Sequence, residues 1–180
     1  MSLVFQTERL RIRKWDPEKD AAANLRIYED EEVMRFLRGA GPIEPRTLET
    51  QRVLLERTTK RDEATPGLGY WAMERIDDGE VIGALLLKSL DDTEEIEVGY
   101  HLRRDAWGNG YATEAARGGV LHGFEVVGLD RIVAVVYPEN VASQRVIAKL
   151  GFQRGVPGTW YGVSLDYWYA DALPVECMPS

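Results

Sequence analysis

The chain has 180 residues, 44% hydrophobic and 29% charged, with a net charge of −8 and one cysteine. That length suits one well-buried domain over residues 1–180, and the acidic balance argues against a nucleic-acid binder, which needs a basic stripe to displace counterions. Cys177 stands alone between Pro174 and Pro179, which excludes an internal disulfide and a cysteine-rich metal site, and the two histidines, His101 and His122, show no metal-ligand spacing.

Residues 3–15 alternate, with Leu10 and Ile12 on one face and Arg9, Arg11 and Arg13 on the other, as in a half-buried strand. Asp16-Pro17 breaks that strand. Residues 21–37 then carry Leu25, Tyr28, Val33, Phe36 and Leu37 at helical spacing, followed by a loop over 39–42. Pro45 and Thr47 open a second helix to about Thr59. Strands over 70–76 and 81–88 flank Asp77-Asp78-Gly79-Glu80, a hairpin signal because glycine accepts positive φ. A third strand, 95–102, puts Ile96, Val98, Tyr100 and Leu102 on one face and Glu95, Glu97, Gly99 and His101 on the other.

Residues 110–127 read as a helix with Ala112, Ala116, Val120, Phe124 and Val127 along one side. Gly118, Gly119 and Gly123 cost it stability, which implies close packing on a sheet. Residues 132–137 are almost continuously apolar, as in a strand covered on both faces. Asn140 caps a helix ending at Leu150, with Gly151 as its left-handed terminator. Closing strands at 152–155 and 163–170 flank a loop. The apolar runs are strand-length, too short to cross a bilayer, and no basic segment leads into an apolar core near Met1. A cytoplasmic protein with no membrane partner is expected.

The most informative stretch is 100–116, where a strand ends and a small-residue loop enters a helix. Such a junction offers unpaired N–H groups and the positive end of a helix dipole, which suits a pyrophosphate. Gly108 and Gly110 let backbone approach an anion closely. A dinucleotide-binding turn would need a third glycine where Thr113 stands, and no Gly-Lys-Ser/Thr run is present. Taken alone, the two glycines fit a tight turn equally well.

The second segment is Asn140-Val141-Ala142-Ser143 with Lys149-Leu150-Gly151-Phe152, one strand further on. With Trp107-Gly108-Asn109-Gly110-Tyr111-Ala112-Thr113-Glu114-Ala115, Glu97-Val98-Gly99-Tyr100 and Arg9-Leu10-Arg11-Ile12-Arg13, it resembles the GNAT superfamily of N-acetyltransferases, and within it the RimJ/RimL-like branch. Trp107 stands where the wider superfamily has Gln or Arg, as is typical of that branch. The resemblance implies an α/β (α+β) fold: a curved, mixed, mostly antiparallel sheet of about seven strands with a central splayed parallel pair and four helices. It also implies acetyl transfer from acetyl-CoA, as co-substrate and without a metal, to a primary amine. Protein N-termini such as those of ribosomal proteins, polyamines and drug amines are the acceptor classes, and a homodimer is left open.

Carried over by position, Tyr100, His101 and Leu102 contact pantetheine through backbone groups. Trp107, Gly108, Asn109, Gly110, Tyr111 and Ala112 hold pyrophosphate, and Asn140 bonds the pantetheine arm. Arg103, Arg104, Arg145 and Lys149 are candidates for the 3′-phosphate. The family's acidic tyrosine is replaced by Ile147 and one of its basic glutamates by Val135, so Ser143 is the candidate acid. Glu97 is the first candidate base, ahead of His101, Tyr100 and Glu74. Tyr28, Trp160, Tyr161 and the acidic run 29–32 form a candidate wall for a cationic amine. With no well-placed nucleophile, direct attack in a ternary complex is expected; the alternative is an inactive CoA-binding sensor or assembly module.

Overall fold

The structure, a computed structural model, describes residues 2–37, 39 and 46–172. Cys177, Pro45 as a helix start and most of the 39–42 loop fall outside the described residues. Fourteen elements follow in order: β1 (Leu3–Gln6), β2 (Leu10–Arg13), α1 (Pro17–Tyr28), α2 (Glu31–Met34), α3 (Leu48–Glu63), β3 (Gly69–Arg75), β4 (Val81–Ser89), β5 (Ile96–Leu102), α4 (Tyr111–His122), β6 (Arg131–Val136), α5 (Val141–Lys149), β7 (Gln153–Arg154), β8 (Gly158–Trp160) and β9 (Val163–Asp171). The sheet runs β1-β2-β3-β4-β5-β6-β9-β7, with β8 on β9. Every pairing is antiparallel except β5 with β6.

The counts, nine strands and five helices among the described residues, exceed the expected seven and four. Residues 3–15 are a hairpin, because the chain turns back at Thr7, whose amide bonds the Leu10 carbonyl. Asp16-Pro17 starts a helix as well as ending a strand: the Asp16 side chain caps the Glu18 and Lys19 amides, and proline tolerates the first turn. The helix expected over 21–37 is two, since Asp30 is extended and caps α2. The helix expected to reach Val127 leaves α-geometry at Gly123 and makes one wider π turn, stopped by Gly128 at φ 79°. A short β8 lies in what reads as a loop.

Two apolar layers sandwich the sheet. On the α4–α5 side Leu10, Ile12, Leu85, Leu87 and Val98 pack with Ala115, Ala116 and Ile147; on the α1–α3 side Trp15, Ile27, Leu55, Ala72 and Ala84 cluster. Gly119 lies on the most buried stripe of α4 with Ala115, Ala116 and His122; Gly118 is part-buried beside it, and Gly123 opens the π turn. A Cβ on Gly118 would stand 2.5 Å from Phe5, and one on Gly123 2.6 Å from Ile132. The helix cost of glycine is accepted here because no larger residue fits. Arg13 is buried, contrary to the half-exposed reading, because α1 covers its face: it binds Asp20 and Glu74, each at 2.6 Å, and so ties β2 to α1 and β3.

Candidate functional site

β5 and β6 share register at one position, Glu97 opposite Val133, near the start of each strand. β4 pairs with β5 as far as Leu102, and β9 pairs with the whole of β6. The parallel strands therefore part toward their C-terminal ends while each keeps its other neighbour. A cavity of about 640 Å³ occupies the gap, and it brings together Glu97, Tyr100, His101, Asn140 and Ser143.

One side of this cavity belongs to α5. Asn140 caps the helix by accepting from the Ser143 amide at 3.1 Å. That cap orients the first turn, so Ser143 Oγ meets Tyr100 Oη at 2.9 Å, and the tyrosine also donates to the Ser143 carbonyl. Burial pushes the Tyr100 hydroxyl up to about 12. Val135 and Ile147, standing where the resemblance places ionisable groups, line the same cavity and make it apolar.

The opposite side is built from the other face of β5. Glu97 is buried, with Oε1 held by Lys88 Nζ at 2.6 Å and by the Tyr161 hydroxyl. Lys88 is opposite Glu97 in the β4–β5 ladder, and Tyr161 arrives from the loop before β9 with φ 53°. Both Asp91 and Lys88 hold that tyrosine. His101 is half-buried, its Nδ1 2.7 Å from Tyr28 Oη; Tyr28 continues to Tyr70 at 2.6 Å, and Asn24 donates to Tyr70 at 2.9 Å. Burial, then the charges of Lys88 and Arg46, lower the His101 imidazole to about 4.

The loop 107–112 lies beyond the end of β5, outside the cavity lining. Trp107 Nε1 donates to the Leu102 carbonyl, so that carbonyl is already engaged; the Asn109 amide bonds the Ala106 and Trp107 carbonyls. Gly108 and Gly110 have φ 79° and 81°, and space is open where a Gly108 Cβ would stand. No side chain caps the first turn of α4 at Tyr111 and Ala112, so its amides point outward without a partner from a cap. Arg9 braces the loop through the Asn109 carbonyl and Glu114.

Other candidates fall elsewhere. Glu74 is held by Arg11 and Arg13, away from the cavity. Arg103 pairs with Glu80 and Asp105, and Arg104 with Asp30; Arg145 and Lys149 are exposed on α5. The wall expected for a cationic amine is corrected: Tyr161 lines the cavity, Tyr28 supports it from behind, and Trp160 stacks on Tyr167. Glu29, Glu31 and Glu32 are exposed, and Asp30 serves as a cap, so the acidic run forms no wall. Lys88, Arg46, Tyr70 and Asn24 went unread. Lys88 carried a signal, since counting back across the β4–β5 turn sets it opposite Glu97.

The family model described as "Acetyltransferase (GNAT) domain" matches residues 9–153. YoaA, an uncharacterized N-acetyltransferase of Bacillus subtilis, is 30% identical over 174 residues, covering 96% of this chain and 92% of that protein. A GNAT-family acetyltransferase from Bacillus anthracis superimposes with a TM-score of 0.74 at 25% identity, covering 94% of this chain and 96% of that one. The fold is also that of RimL, a ribosomal alpha-N-protein acetyltransferase in complex with coenzyme A, with a TM-score of 0.75 at 14% identity, covering 94% and 98% of the two chains.

Proposed function

Because the chain belongs to the acetyltransferase (GNAT) family, we propose that it moves an acetyl group from acetyl-CoA to a primary amine, with both bound at once. The observation that carries this reading is the parting of β5 from β6 over a cavity with Tyr100, Asn140 and Ser143 on one side and Glu97 and His101 on the other. An unpaired strand edge suits an extended, amide-bearing arm such as pantetheine. The uncapped first turn of α4, entered through two left-handed glycines, suits a pyrophosphate. The RimL structure, which holds coenzyme A on the same fold, supports the same reading.

Acetyl-CoA supplies the activated acyl group. The amine nitrogen attacks the thioester carbonyl: a C–N bond forms, the C–S bond breaks, and an amide and a thiol result. Glu97 takes the proton the nitrogen sheds, directly or through a water, while Lys88 and Tyr161 fix the carboxylate in place. Ser143 gives a proton to the departing thiolate. Tyr100, raised to about 12, keeps its own proton and holds Ser143 in position. Backbone amides along the open edge of β5 steady the negative charge on the carbonyl oxygen.

Acetyl-CoA is expected to raise the melting temperature, since a ligand at about 100 times its Kd stabilises by about 2.7 kcal/mol. Gly110→Asp puts bulk and negative charge at the helix entry and is expected to abolish the shift. An undiminished shift in that variant would remove the pyrophosphate assignment. Thiol release with an amine panel separates an enzyme from a CoA-binding sensor, which the apolar Val135 and Ile147 would also suit.

A further inference from the structure

Among the described residues, two cations, Arg46 and Lys88, and one carboxylate, Glu97, line the cavity, in a chain whose net charge is −8. Lys88 and Glu97 balance each other at 2.6 Å. Arg46 has no carboxylate partner among the described residues; its guanidinium lies 5.0 Å from the centroid of the Tyr28 ring. Tyr28 also touches His101, ring to ring at 5.6 Å and through its hydroxyl. One tyrosine thus sets an exposed guanidinium and an imidazole at the same end of the acceptor side.

The second observation is the direction of hydrogen bonding behind that imidazole. The Asn24 amide nitrogen can only donate, so Tyr70 accepts from it at 2.9 Å. The hydroxyl hydrogen of Tyr70 then has Tyr28 as its acceptor, and the hydrogen of Tyr28 goes to His101 Nδ1. Running the chain backwards would strand the Tyr70 hydrogen in a buried site. As placed, Asn24 leaves its carbonyl oxygen unpartnered and gives one amide hydrogen to Tyr70. With Asn24 in this orientation, Nδ1 is the acceptor and the neutral ring carries its hydrogen on Nε2. In that arrangement His101, which lines the cavity, is a donor at Nε2 and not a base.

Resting on the acetyl-transfer reading, we infer that the acceptor is an amino carboxylate, its carboxylate received by Arg46 and the Nε2–H of His101 while its amine faces Glu97. A guanidinium and an imidazole N–H both donate and neither accepts, which matches a carboxylate and rejects an ammonium. Polyamines and other purely cationic amines would meet a cation where they need an anion.

The test pairs each of the proteinogenic amino acids, and a spacing series of glycine, β-alanine, 4-aminobutyrate and 6-aminohexanoate, with its own carboxamide. The expected result is a kcat/KM preference for the acid of about tenfold or more in the favoured pair. In Arg46→Gln the acid should lose far more than the amide, bringing the ratio below about threefold. A binding arm needs no turnover: with CoA present, N-acetylglycine and its longer analogues should bind more tightly than their amides. The His101 ring nitrogens should report the Nε2–H tautomer and respond to the acids alone. Preference for amides or diamines, an unchanged ratio in Arg46→Gln, equal binding of acid and amide products, or an Nδ1–H tautomer would each overturn the inference. Loss of the acetyl-CoA stabilisation would instead sink the acetyltransferase reading, because the Gly110 loop lies apart from Arg46 and His101.

Discussion

On the proposed cofactor side of the cleft, short-range backbone geometry does most of the shaping: Asn109 bonds carbonyls two and three residues back, Asn140 caps the amide three residues on, and two glycines set the loop's direction. On the acceptor side, side chains meet from distant parts of the chain. Tyr28 reaches His101 across 73 positions, Tyr161 reaches Glu97 across 64, and Lys88 reaches Tyr161 across 73. A site made from local geometry serves a constant ligand and leaves the same trace wherever it occurs. A site assembled from remote side chains can change one residue at a time without disturbing the turn beside it. The cleft thus joins a fixed half to an adjustable one.

If that division is right, damage on the acceptor side should reach the chemistry and spare cofactor binding. The largest effect is expected from Glu97→Gln. It keeps the shape but removes the proposed proton acceptor, so kcat should fall by about 10² to 10⁴ while the dissociation constant for acetyl-CoA stays unchanged. Rapid-quench kinetics with calorimetry of cofactor binding checks both. A Gln variant at full speed would make Glu97 a structural partner of Lys88 and Tyr161.

A smaller effect is expected from Ser143→Ala, about tenfold to a hundredfold in kcat, because a thiolate leaves readily even without a proton donor. Its expected signature is lower turnover with an unchanged cofactor affinity. Tyr100→Phe should give part of the same loss, since the phenol holds Ser143 at 2.9 Å. This pair sharpens the comparison, because Ser143 is proposed to stand on the cofactor side yet to act in the transition state. Wild-type turnover in Ser143→Ala, with chemistry rate-limiting, would assign the acid elsewhere.

The same contrast explains what could be read before the fold was known. Gly108, Gly110, Asn140 and Gly151 need particular local conformations, so the reasons for them lie within a few residues of each. The β5 alternation was equally open, because a period of two assigns faces without knowledge of partners. Arg46 was hidden, since an exposed cation near a helix start carries no mark of what it neighbours, and only the folded chain sets it against Tyr28. Asp30 misled in two ways. It reads as part of an acidic surface run and of one helix, yet it ends that helix, caps the next and pairs with Arg104. The acidic run 29–32 reads as a wall for a cationic amine, while among the described residues Arg46 and Lys88 line the cavity against Glu97 alone.

The smallest expected effect is on stability, and it tests whether the acceptor side holds His101 neutral. Burial and the charges of Lys88 and Arg46 bring the imidazole from 6.5 to about 4. Between those values the unfolded chain binds a proton at this histidine and the folded chain does not. Stability from this group is therefore fully present above pH 6.5 and falls as the pH drops toward 4, by no more than about 1.4 kcal/mol per pH unit for one proton. Below about pH 4 both states are protonated and the contribution is flat. Carboxylates titrate nearby, so the quantity to measure is the difference between the protein and His101→Gln, by urea denaturation at pH 7, 5.5 and 4.5. Wild type should lose stability faster than the variant on acidification, with the gap opening between pH 7 and 4.5. Parallel curves would mean that His101 takes a proton in the fold as easily as out of it. In that case the run of donors from Asn24 through Tyr70 and Tyr28 would not fix its state.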